Sequence, residues 1–156
     1  MTVDATDLKI LAELQANARI SVTELASRVS LTATPCARRV QQLEDTGFIK
    51  AYVTLLDQSA LGLPVNGFVE VRLTREGKEE VAEFESAVRN YREVMECWAM
   101  SGGNDYLLRV VSQDLDAYNR FLRTRLLVLS CVDHVQTSFA LERVLDRSSL
   151  PLEHLQ

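Results

Sequence analysis

Apolar positions recur at helical spacing in the first part of the chain and alternate at strand spacing in the second, so the change of period divides the molecule. Over 4–16, Leu8, Ile10, Leu11 and Leu14 form one stripe behind Asp4, a helix-capping residue type, and Asn17 closes it. Val22, Leu25, Ala26 and Val29 form a second stripe, opened by Ser21 with Glu24 three places on, the spacing of a capping box. Ser30-Leu31-Thr32 interrupts it, and Thr32 is placed to cap a third helix. Pro35 falls in that helix's first turn, where the missing N–H is a donor without a partner, and Gly47 suits its C-terminal end. On a helical wheel Cys36, Val40 and Leu43 face inward. Thr34, Arg38 and Gln42 make a straight outward stripe, flanked by Arg39 and Gln41. FIKAYVTLL, at 48–56, is rich in β-branched and aromatic residues and reads as a strand. Three helices and a strand predict a winged helix-turn-helix over 1–56.

Gly62 and Pro64 mark 57–66 as a linker. Beyond it one unit is written twice: an alternating strand at 67–74, an amphipathic helix at 77–91 and a strand at 94–101. A strand at 105–112 follows, then a helix capped by Asp114 and a long strand at 132–145. The order βαββαβ predicts an α+β, ferredoxin-like domain over 67–145, with two helices on one face of an antiparallel sheet. Residues 146–156 are left as a tail. Val69, Val71, Leu108, Val110 and Phe139 are expected to give the other face an apolar surface, which dimerisation would cover.

Composition narrows the chemistry. With 156 residues, 47% of them hydrophobic, the chain has enough material for one domain or two small ones. It contains no run of 18 apolar residues and starts without a basic, apolar leader, so neither a membrane span nor a secretory signal is expected. The cysteines Cys36, Cys97 and Cys131 are scattered and odd in number, which suits reduced thiols in the cytoplasm. No Cys/His cluster, nucleophile–base pair or phosphate loop is present, so neither a metal, a cofactor nor catalysis is expected.

The net charge of −5 counts at first against nucleic acid. Residues up to Ala60, however, hold six basic against seven acidic side chains, leaving −4 to the remainder. DNA answers to the local field. Arg38 and Gln42 are side chains that bond base edges in pairs, and Glu44 and Asp45 stay at the far end of their helix. Arg19, Arg28 and Lys50 are candidates for phosphate. The same stripe also suits the solvated face of an ordinary helical hairpin. A nearly neutral head would bind weakly alone, so several are expected to act together.

In the second domain the loop Ser101-Gly102-Gly103-Asn104-Asp105 joins two strands. Its glycine N–H groups could bond a carboxylate and Asp105 an ammonium, but a plain hairpin turn would read the same way. Gln136 and Ser138 share one face of the last strand, with Thr137 on the other.

Three segments together, DLKILAELQANARIS at 7–21, ELASRVSLTATPCARRVQQLEDTGFIKAY at 24–52 and SGGNDYLLRV at 101–110 with DLDAYNRFL at 114–122, resemble the Lrp/AsnC family of feast/famine regulators. The resemblance spans essentially the whole chain. It implies a DNA-binding transcriptional regulator with a small amino acid as effector, and homodimers that assemble further, often to octamers. It places the effector against the 101–105 loop at a contact between dimers, with Ala99, Tyr106, Gln136, Thr137 and Ser138 nearby. Two positions depart from the family pattern. Gly103 stands where a carboxylate is usual, and Ser30 stands where the turn usually has glycine. The C-terminal tail is similar to members that respond to leucine or methionine. Two other functions compete: an effector-independent DNA-organising protein, and an amino-acid-binding regulatory subunit of a metabolic enzyme.

Overall fold

The computed structural model describes residues 3–155 and divides into two compact units. One runs to Leu55 and includes the chain from Val144 onward; the other is Leu56–Arg143.

The first unit holds α1 (Ala5–Ala16), α2 (Val22–Arg28) and α3 (Ala33–Asp45). Asp4 caps α1 in a full capping box: its Oδ1 accepts from the N–H of Thr6 and of Asp7, and its own N–H donates to Asp7 Oδ2 at 3.1 Å. At α2 only half of the expected box forms. Ser21 Oγ accepts from Glu24 N–H at 3.2 Å, but the Glu24 carboxylate turns to Arg28 at 2.6 Å, where a full charge is the better partner. Thr32 occupies the N-cap of α3 without a side-chain cap bond. Between α2 and α3, Ser30 has φ of 59°, the left-handed turn conformation that usually falls to glycine and costs a non-glycine residue about 1 kcal/mol. Ile10, Leu25, Ala26, Val29, Cys36 and Leu43 close the core, with Leu152 from the chain's end packed against it. The Gln15 amide is bonded on both sides to the backbone of Leu150, so the tail lies on the helices.

The strand expected over 48–56 does not form. Ile49 N–H returns to Leu43 O and Tyr52 donates to Glu44 at 2.9 Å, but Val53, Leu55 and Leu56 lie exposed with no strand beside them. A strand needs a neighbour to fill its ladder, and the described chain offers none here.

Residues 57–63 form a compact turn in which Asp57 caps the Ala60 N–H at 2.7 Å. The sheet follows: β1 (Val65–Leu73), β2 (Val94–Ala99), β3 (Tyr106–Ser112) and β4 (Val132–Phe139). Its order is β2-β3-β1-β4 with every pairing antiparallel, the predicted split βαβ arrangement. Helix α4 (Lys78–Arg89) and α5 (Leu115–Phe121), which opens into a wider π turn over Leu122–Leu126, supply the covering layer. β4 is shorter than the expected 132–145. After Ala140 N–H reaches Asn66 O the neighbouring strand runs out, and 141–145 leaves the sheet exposed.

The faces are also reassigned. Val69, Val71, Leu108 and Val110 are fully buried in the core that includes Phe84, Val88 and Phe121, and Phe139 meets Tyr118 edge-on at 5.0 Å. Gly67 permits that approach, since a Cβ there would lie 3.3 Å from the Tyr118 ring. The opposite face carries Phe68, Leu107 and Trp98 among charges, with Arg109 on Glu96 at 2.9 Å and Arg72 on Asp133 at 2.8 Å. Alternation fixes which residues share a face, not which face the helices take.

Arg39 meets Asp4 and Asp7, each at 2.7 Å, and Asp7 is 2% exposed. Arg39→Ala would leave Asp7 buried against one backbone N–H, so thermal melting should show a loss of roughly 3 kcal/mol. The Asp4 carboxyl is held below its ordinary value of 3.8, first by the Asp7 N–H and then by Arg39. Its contribution is therefore present above the ordinary carboxylate range and lost as pH falls through the lowered value. Melting temperatures between pH 5 and pH 2 should fall less steeply for Asp4→Asn than for the parent chain.

Candidate DNA-binding surface and effector region

α3 stands on the other two helices through Cys36 and Leu43, both fully buried, and this sets the opposite face outward. Thr34, Arg38 and Gln42 are all exposed on it, one turn apart. Arg38 has no ion-pair partner among the described residues, so its fork of donors is available for a base edge. Arg39, expected beside it, points the other way: its guanidinium is committed to Asp4 and Asp7 and ties α3 to the start of α1. Gln41 bonds Asp45 at 2.9 Å along its own helix. Arg28 is held by Glu13 at 2.8 Å and Glu24 at 2.6 Å, whereas Lys50 and Arg19 are exposed and form no ion pair among the described residues. The pairing of Arg39 was hidden in the sequence because Asp7 lies 32 positions away.

In the second unit the loop between β2 and β3 is tied to β1 by Asp105. Its N–H donates to Val71 O at 2.9 Å, and its Oδ2 accepts from Leu73 N–H at 2.6 Å, where the β1–β4 register shifts. A carboxylate expected to meet an ammonium thus already anchors the loop. Asn104 donates to Glu70 Oε2 at 2.7 Å, and Glu70 sits opposite Gln136 on the helix-free face. Glu70 was missed in the sequence, because only strand register brings it beside Asn104 and Gln136. Gly102 has φ of 150°, and a Cβ at Gly103 would meet nothing within 4 Å, so both leave the loop's outer side open.

Of the remaining candidates, Ser138 shares the helix-free face with Gln136, whereas Ala99, Tyr106 and Thr137 lie on the helix-covered face. Ala99 and Tyr106 pair across β2–β3 and line a cavity of about 360 Å³ beside α4, together with Glu85 and Arg89. Burial, and then the bond from its hydroxyl to Glu85 at 3.1 Å, push the Tyr106 phenol up to about 12, so it remains a donor at neutral pH. Thr137 faces the helices and shares a hydrogen bond with Tyr118. Ser138 lies exposed opposite Phe68. β2 and β4 are the two edges of the sheet, three strand spacings or roughly 14 Å apart.

A three-helix head presenting a polar stripe from its third helix, followed by a βαββαβ domain with an open glycine loop, defines a helix-turn-helix regulator of two parts. Residues 3–50 match the winged helix-turn-helix DNA-binding model, and residues 66–150 match the Lrp/AsnC ligand binding domain. The chain belongs to the Lrp/AsnC family of transcriptional regulators, which couple a DNA-binding head to an amino-acid-binding domain. It is 42% identical to a proline dehydrogenase transcriptional activator of Rhodobacter capsulatus, over 94% of this chain and 96% of that one. It is 38% identical to the leucine-responsive regulatory protein of Escherichia coli, over 97% and 92%. A transcriptional regulator from Neisseria meningitidis, solved as its complex with L-Met, superposes with a TM-score of 0.95 at 39% identity, over 99% of this chain and all of that one. Among the described residues no helix is long and apolar enough to cross a membrane.

If Arg38 reads a base and Lys50 only a phosphate, their alanine variants will differ in kind. Gel shifts should show Arg38→Ala losing about 1–3 kcal/mol on the specific site alone, and Lys50→Ala weakening specific and random duplexes alike. Equal losses on both duplexes for both variants would remove the assignment.

Proposed function

We propose that this regulator reads a specific duplex sequence through Thr34, Arg38 and Gln42, and that a small apolar amino acid, leucine or methionine, shifts its assembly or its DNA affinity. The observation that carries the first part is the exposed i, i+4, i+8 stripe with Arg38 unpaired. Arg19, Arg28 and Lys50 serve the phosphates, Arg28 by exchanging its surface carboxylates for them, and Gln41 lies at the margin of the contact. Arg39 serves as the brace that positions the helix.

The effector reading draws on two likenesses: leucine-responsive regulators at 38–39% identity and the neighbour that holds L-Met. In this chain the open loop 101–105 and the Asn104–Glu70–Gln136 cluster form the first part of the site. Ser138 lies on the same face two positions beyond Gln136, while Ala99, Tyr106 and Thr137, set apart by the sheet, would contribute from another copy or hold the walls. A site split in this way calls for more than one chain. The exposed Val53, Leu55 and Leu56 and the Trp98 face also support a homodimer that assembles further, with an octamer as the expected form. A two-fold dimer would present its stripes to half-sites about one helical turn apart, or a multiple of it. The three free cysteines fit a cytoplasmic protein. Gly103 favours a second reading, a DNA-organising protein without effector response, because it leaves the loop one carboxylate short.

Calorimetry and sedimentation with leucine and methionine separate the two. Saturable heat together with a shift in assembly size supports the effector reading, and no heat with either supports the second. Gly103→Asp has room for its side chain and should leave the melting temperature within a degree or two while changing the amino-acid preference.

A further inference from the structure

A second cavity, of about 390 Å³, opens at the end of the sheet away from the 101–105 loop. Its volume is in the range of small-molecule sites. Arg120 and Arg125 stand on its wall, and neither has a carboxylate partner among the described residues, although the chain is acidic overall. Arg72, Arg89 and Arg109 of the same unit each hold one, whereas Arg75, Arg92 and Arg123 also go without among the described residues; what sets Arg120 and Arg125 apart is that they share one cavity wall. The single carboxylate on the wall is Glu93, which is also without an ion pair among the described residues.

The arginines share this wall because of the wide turn that follows α5. In a regular helix, positions five apart point about 140° away from each other. Here Leu127 N–H bonds Leu122 O across five residues, and the wider turn from Leu122 onward narrows the angle between Arg120, near the end of α5, and Arg125. Arg125 is also held in place. Its guanidinium lies over the Tyr91 ring at 5.6 Å, and the Tyr91 hydroxyl donates to its carbonyl at 3.0 Å. Val111 and Phe121 give the cavity an apolar floor.

We infer that this cavity is a second ligand site, distinct from the effector region, for an acidic α-amino acid such as glutamate or aspartate. Two cations and one anion on the wall complement two carboxylates and one ammonium, and the floor accepts the methylenes between them. The inference does not depend on the proposed DNA contacts or on leucine or methionine binding.

Equilibrium dialysis of labelled L-glutamate against the full chain tests it, with glutamine, glutarate and inorganic phosphate as competitors. Saturable binding is expected, weakened about tenfold or more by Arg120→Gln or Arg125→Gln. Both side chains are exposed, so these variants should melt with the parent. Glu93→Gln should weaken glutamate but not glutarate, since only glutamate carries the ammonium. Excess methionine should leave glutamate in place. The assignment is overturned by absent saturation, by equal binding in parent and arginine variants, by phosphate competing as well as glutamate, or by displacement with methionine.

Discussion

The head depends on one buried charge. Asp7 sits 2% exposed at the start of α1, with one oxygen on the Asp4 N–H and the other on Arg39. A carboxylate in that position is costly unless both oxygens are occupied. The two partners come from different places, one from the cap of its own helix and one from α3. Cap, first helix and α3 are therefore held by the same group. Losing any member loosens the tie between α1 and α3, beside the packing of Cys36 and Leu43 that turns the stripe outward.

The two arginines of α3 show how neighbours on one helix divide the work. Arg38 and Arg39 are adjacent and chemically identical, but 100° on the wheel separates them. One side of that angle faces open solvent, where a guanidinium remains free for a base. The other faces α1 and its two aspartates. An exposed guanidinium, unpaired among the described residues, and the guanidinium that braces the head thus belong to consecutive residues.

The sensing unit shows the same economy. Asp105 fastens the glycine loop to β1, and Asn104 beside it reaches Glu70, so the loop is rigid along its inner side and open along its outer side. A ligand meeting such a loop finds donors already positioned. The sheet also keeps its apolar helix-covered face apart from a mixed face in which Trp98 and Phe68 alternate with ion pairs. A partner covering that mixed face would have to satisfy charges as well as bury rings.

Local signals determined a good deal by themselves. Asp4, Ser21 and Gly47 marked helix ends, Ser30-Leu31-Thr32 marked the break between α2 and α3, and alternation over 67–74 and 105–112 marked strands, because caps, turns and side-chain periodicity are set by residues a few positions apart. The order of elements was enough for the ferredoxin-like topology, since few crossovers are physically admissible. Whatever depended on distant residues was decided by tertiary structure. That includes which sheet face meets the helices, the commitment of Arg39 to Asp7, the pairing of Glu70 with Asn104, the early end of β4, and the failure of 48–56 to find a ladder. Each is a contact between segments that the sequence leaves unregistered, and only packing fixes the register.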